Sequence, residues 1–152
     1  MNFGFSLVGL LLLLMLFVPN IIWSKYPPKD YEKYSKNENR IFLTFERIGE
    51  VLVSIFSLFC GVKFSLNLIL IIVFILMIFY ELYWIRYFKS PRNMKDMYCD
   101  FYGIPLAGAT LPVIAFLLLG ICADNIFLII SSIILGIGHI AIHFNHEREV
   151  NI

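Results

Sequence analysis

The chain has 152 residues, of which 60% are hydrophobic and only 15% charged, with 12 Lys+Arg against 11 Asp+Glu. Soluble domains carry roughly a quarter charged residues and about half apolar ones, so this composition excludes an ordinary soluble fold, a disordered chain and a nucleic-acid binder. The apolar residues fall in blocks near the roughly 20 needed to cross a bilayer as a helix, which predicts a single all-α domain, 1–152: a polytopic membrane bundle of about five transmembrane helices.

The first span is predicted at 3–23. Its start, Met1-Asn-Phe-Gly-Phe-Ser, has no basic residue, and its apolar run exceeds the core of a signal peptide, so it is expected to be retained. A polar connector, 24–40, leads to a second span at 41–60, whose first half holds Glu46, Arg47 and Glu50. A charge at a helix centre costs about 2.5–3.5 kcal/mol on insertion scales. These charges lie near the entry of the span and ten apolar or small residues follow, so a full crossing is expected. The third span, 64–87, includes Glu81 and Arg86, and a second polar connector, 88–100, follows it. The fourth, 101–122, has no charge but contains Pro105 and Pro112, and the run from Gly103 to Pro112 is expected to kink or partly unwind. The fifth, 125–145, carries His139 and His143, with His146 just beyond.

Five crossings place Lys25, Lys29, Lys33, Lys36, Arg40, Arg86, Lys89, Arg92, Lys95 and Arg148 on one side and Lys63 on the other. The positive-inside rule then predicts a multi-pass protein of the cell membrane with its N-terminus outside and its C-terminus cytoplasmic. Both tryptophans and all eight tyrosines fall at or near that same inner edge. Aromatic belts normally mark both interfaces, so the inner face is unusually built up.

The ionisable residues inside the spans, Glu46, Arg47, Glu50, Glu81, His139 and His143, all fall in the inner half. At 1.5 Å rise per residue, Glu50 and His139 lie about 10 Å inside the interface. Glu46 and Glu50 are one turn apart and share a helix face, and His139, His143 and His146 form one stripe. If the two faces meet, the site offers imidazoles and carboxylates suited to Zn, Mn or non-haem Fe. Glu46, Glu50, Glu81 and His139 are the candidate catalytic residues, and His139, His143, His146 and Glu50 the candidate metal ligands. Arg47, Arg86, Asp100 and Tyr102 are candidates for substrate binding, the arginines for an anionic head group. A helix-packing network of ion pairs is the plainer reading of the same residues.

Other motifs carry less. Gly136-Ile-Gly138-His139 lies inside an apolar helix and is no phosphate loop, and there is no His-Glu-x-x-His or Cys-x-x-Cys. The small pairs Gly103/Ala107 and Ser132/Gly136 read as packing contacts within one chain. Cys60 and Cys122 both fall at outer helix ends and are a candidate disulfide, with small buried thiols as the simpler reading. The residues thus point to a membrane-embedded enzyme acting on a lipid or other amphiphile, with anionic lipid head groups as partners on the inner side and an oligomer left open. The alternatives are a proton- or cation-coupled transporter or channel, and an accessory or assembly protein without catalysis.

Overall fold

The computed structural model describes residues 4–63 and 67–151; Phe3 and Phe64, where the first and third predicted spans begin, lie outside the described residues. The described chain is all-helical: α1 (Leu7–Lys25), α2 (Tyr31–Ser35), α3 (Arg40–Leu58), α4 (Leu68–Lys89), α5 (Met94–Met97), α6 (Ala107–Cys122) and α7 (Ile126–Val150). Four of the five long helices begin where a side chain takes up a free backbone N–H of the first turn. Ser6 accepts from Gly9 N, Asn39 from Ile41 N, Asn67 from Leu70 N and Asn125 from Leu128 N.

Helices α1, α4 and α7 are each long and apolar enough to cross a membrane. Helix α3 has the length, but Arg40, Glu46, Arg47 and Glu50 lower its apolarity. Its outward side is nonetheless a continuous apolar stripe, with Ile41, Phe45, Ile48, Val51, Ile55 and Phe59 all exposed. The fourth block differs from the expected span of 101–122, because helix begins only at Ala107. Tyr102, Gly103 and Leu106 have left-handed φ of 54°, 72° and 48°, which ends any helix through them. Thr110 Oγ1 takes up the freed Pro105 carbonyl at 2.8 Å and also reaches Leu106 O at 3.2 Å, which already accepts from Ala109 N and Thr110 N. The helix then runs on through Pro112 and is the most enclosed of the five, with Leu111, Ala115, Phe116 and Leu119 buried.

Successive long helices alternate in direction. Asn20 of α1 hydrogen-bonds Tyr80 of α4, and at the opposite end Ser6 donates to the Val62 carbonyl. The two polar connectors therefore lie at one end of the bundle and the short turns at the other. The connectors are also tied to each other: Lys29 N donates to Arg92 O, and Met94 N to Asp30 Oδ1 at 2.8 Å. Arg86 holds the second connector in place, donating to the carbonyls of Asp96, Cys99 and Asp100 while its guanidinium lies over Tyr83 and Phe101.

The most extensive helix contact is α3 with α7, and two glycines permit it. A Cβ on Gly49 would lie 2.4 Å from Leu135 Cα, and one on Gly138 would lie 2.3 Å from Glu46 N. Where lipid is as apolar as leucine, helices associate through such close packing rather than through a hydrophobic drive. The buried hydroxyls along this seam stay satisfied: Ser57 donates to Val53 O, and Ser131 and Ser132 to Phe127 O and Leu128 O.

Candidate functional site

The glycine contact at α3 and α7 sets the site. Gly138 lets the backbone of α3 settle onto α7 at Glu46, and the residue after Gly138 is His139. Glu46 is buried, and its Oε1 stands 2.5 Å from His139 Nδ1. One turn further along α7, His143 packs against His139 with ring centroids 4.4 Å apart. Ligand atoms of Glu46, His139 and His143 all lie within 4.8 Å of one another, so these three side chains form a Glu/His/His group able to hold a metal.

The connectors complete the surroundings. Tyr98 Oη lies 2.8 Å from His143 Nδ1 and 3.4 Å from His146 Nδ1. His146 Nε2 in turn is 3.4 Å from Glu38 Oε1, which also accepts from Tyr31 Oη at 3.2 Å. Polar side chains thus follow one another from His143 to Tyr98, His146, Glu38 and Tyr31, with His146 Nε2 near Glu38 but not hydrogen-bonded to it. Burial, and then the charge of Glu38, push the Tyr31 phenol up to about 12. Tyr98 is raised as well, chiefly by burial. Both phenols therefore remain protonated donors throughout the neutral range.

Each of the two clustered imidazoles has Nδ1 engaged, His139 by a carboxylate and His143 by a phenol. Nε2 of His143 is free to ligate where Nδ1 carries the proton and donates to Tyr98 Oη; a metal held by Glu46 and His139 together would replace their direct contact. Metal-binding histidines are commonly oriented by such outer hydrogen bonds, which fix the tautomer and raise ligand basicity.

These groups form one wall of a cavity of about 390 Å³, lined by residues of all five long helices and both connectors. Its charged lining is Glu38, Glu46, Glu50 and Arg47, near the connector end. Away from that end the lining is apolar, with Val53, Leu16, Phe116 and Leu135 among it.

The candidates from the sequence divide accordingly. Glu46, His139 and His143 come together. Glu50 lines the cavity but pairs with Arg47 at 3.0 Å and lies outside the three-residue group, so Glu46 stands where Glu50 was expected as a ligand. The reason is rotational: the buried face of α3 runs through Glu46, Gly49 and Val53, and Glu50 falls at its edge. His146 is turned to Glu38 and Tyr98 instead of joining His139 and His143. Glu81 is half-buried on α4 and does not line the cavity. Arg86 is occupied by three backbone carbonyls, Asp100 is exposed, and Tyr102 is 79% exposed against Phe79 and Phe101, so these three form no anion site with Arg47. Cys60 and Cys122 are free thiols; Cys60 donates to Ser57 O and Cys122 Sγ accepts from Asn67 Nδ2.

Sequence reasoning did not single out Glu38, Tyr31 or Tyr98, which sit in polar connectors with no periodic signal. It also passed over Gly49 and the packing role of Gly138. Comparison with protein families, with curated proteins and with solved structures finds no match to this chain.

Proposed function

We propose that the protein is a five-span membrane enzyme that binds one divalent ion at Glu46, His139 and His143 and acts on a membrane amphiphile. The observation that carries this reading is the convergence of those three ligand groups, from two helices, on the wall of a cavity. A His₂Glu donor set is one that zinc uses in catalytic sites, leaving a fourth position for water or substrate; two histidines and one carboxylate also suit iron.

Charge favours the same reading. Three carboxylates, those of Glu38, Glu46 and Glu50, share the cavity lining with one guanidinium, that of Arg47. Uncompensated charge in a bundle surrounded by lipid is costly, and a divalent ion offsets it. A metal would lower the pKa of bound water and polarise a substrate oxygen. The protein's own part is to supply the three ligand groups and to fix the His143 ring through Tyr98.

The exposed apolar stripe on α3 and the enclosed position of α6 support all five long helices as spans. Basic residues gathered at the connector end support a cytoplasmic side for that end and the C-terminus by the positive-inside rule.

Turnover of lipid provides the test. Protein reconstituted into vesicles of mixed anionic and zwitterionic lipid should release a cleaved or modified lipid, detected by mass spectrometry. Activity should vanish on chelation and return with zinc or iron. No lipid change by fully metal-loaded protein, against vesicles of several compositions, would reject the enzymatic reading.

A further inference from the structure

The cavity reaches the surface at residues of α1 and α3. Among the residues that line it, the exposed ones are Phe17, Asn20 and Ser24 on α1 and Arg47 on α3. Helices α1 and α3 touch at their far ends, where a Cβ on Gly9 would lie 1.8 Å from Ser57 O. Nearer the connectors they part, and the gap between them is the mouth. In a bilayer such a mouth faces lipid sideways, about 10 Å or less from the helix ends at Lys25 and Arg40 by the helical rise.

The mouth carries its own polar groups. Arg47 is 69% exposed in its side chain, and among the described residues only one of its five N–H donors is taken, by Glu50 at 3.0 Å. The indole Nε1 of Trp23, also on the lining, is buried and has no hydrogen-bond partner. A guanidinium with free donors and an unpaired buried N–H on the lining of one cavity call for acceptor oxygens, and a planar guanidinium matches carboxylate and phosphate. Deeper in, Leu16, Val53 and Phe116 offer only apolar contact. Polarity therefore falls along the bundle axis in the sense that it falls along a lipid from head to tail. The volume of about 390 Å³ is at the small end of the roughly 300–1,000 Å³ of small-molecule sites, which suits one chain and not two.

We infer that the cavity takes a single-chain lipid with an oxyanion head group, a carboxylate or a phosphate, which enters sideways between α1 and α3. The head rests between Arg47 and Trp23, next to the Glu46–His139 pair, and the tail lies along Leu16, Val53 and Phe116. This rests on the proposed function for its chemistry, but the binding itself needs no metal.

The chain's two tryptophans, Trp23 and Trp84, both line the cavity, so their fluorescence reports its occupant. Detergent-purified protein is titrated with a dibrominated long-chain fatty acid and with its methyl ester, before and after treatment with a chelator. Saturable quenching by the acid is expected, with the ester requiring roughly tenfold more, and Arg47→Gln should remove the difference while leaving the folded helix content intact. Acetate should not displace the acid. Quenching that never saturates, that is equal for acid and ester in the wild type, or that acetate reverses would overturn the inference. Saturable, Arg47-dependent quenching in a protein that holds no metal would uphold it and reject the metal reading alone.

Discussion

Replacing Gly138 by alanine is expected to destabilise the protein by about 3 kcal/mol or more. An added methyl would lie 2.3 Å from Glu46 N and 2.5 Å from Phe42 O, both backbone atoms of α3. Side chains can rotate away from an intruder, but a helical backbone has to move as a body. Overpacking typically costs about 1–3 kcal/mol, and a contact against backbone belongs at or above the top of that range. The separation of α3 from α7 would also stretch the bond from Glu46 to His139. Gly136→Ala is the matched control, since its methyl meets only a Val113 methyl carbon at 3.0 Å and an Ile140 methyl carbon at 3.9 Å. Thermal denaturation in detergent should separate the two variants clearly; equal loss in both would show that the glycine contact is not what holds the pair.

Glu46→Gln is expected to lower divalent-metal affinity by at least about 100-fold while leaving the apo protein folded. Glutamine keeps the size of the side chain and can still accept a hydrogen bond from His139, so the packing of this buried position is retained. What it removes is the negative charge and a good oxygen ligand. Loss of an outer hydrogen-bond partner of a metal-binding histidine costs roughly 10–100-fold, and loss of a ligand costs more. Tyr98→Phe removes such an outer partner of His143 and should therefore fall in the lower range. Isothermal titration of chelator-treated protein with zinc measures both. If Glu46→Gln binds zinc as the wild type does and only the melting temperature moves, the carboxylate serves helix packing, and truncating one partner of a buried pair is then the dominant effect.

The long helices were legible because lipid imposes a simple demand: an apolar block of sufficient length with every backbone group satisfied internally. The same rule explains the one shortened element. Gly103 and Pro105 were visible as helix breakers, but the left-handed backbone at Tyr102 and Leu106 was not, since neither residue type favours it, and six residues of the fourth predicted span are non-helical. The meeting of Glu46 with His139 followed from equal depth on two spans. Depth says nothing about rotation, and so it did not show that Glu50 pairs with Arg47 and His146 turns to Glu38 and Tyr98, outside the Glu46/His139/His143 group. A pattern of glycines facing one another across α3 and α7 would have chosen Glu46, but it is readable only once that pairing is known. Glu38, Tyr31 and Tyr98 reach the histidine stripe through contacts between two connectors, such as Asp30 to Met94 N, and no local spacing encodes those.

The central claim is that Glu46, His139 and His143 hold a metal ion. Elemental analysis of detergent-purified wild type, beside a His139→Ala, His143→Ala variant prepared identically, tests it most directly. The account predicts about one zinc, manganese or iron ion per wild-type chain and none in the variant, with helix content unchanged. Equal metal in the two proteins, or none in the wild type even after growth and purification with added zinc, would contradict it.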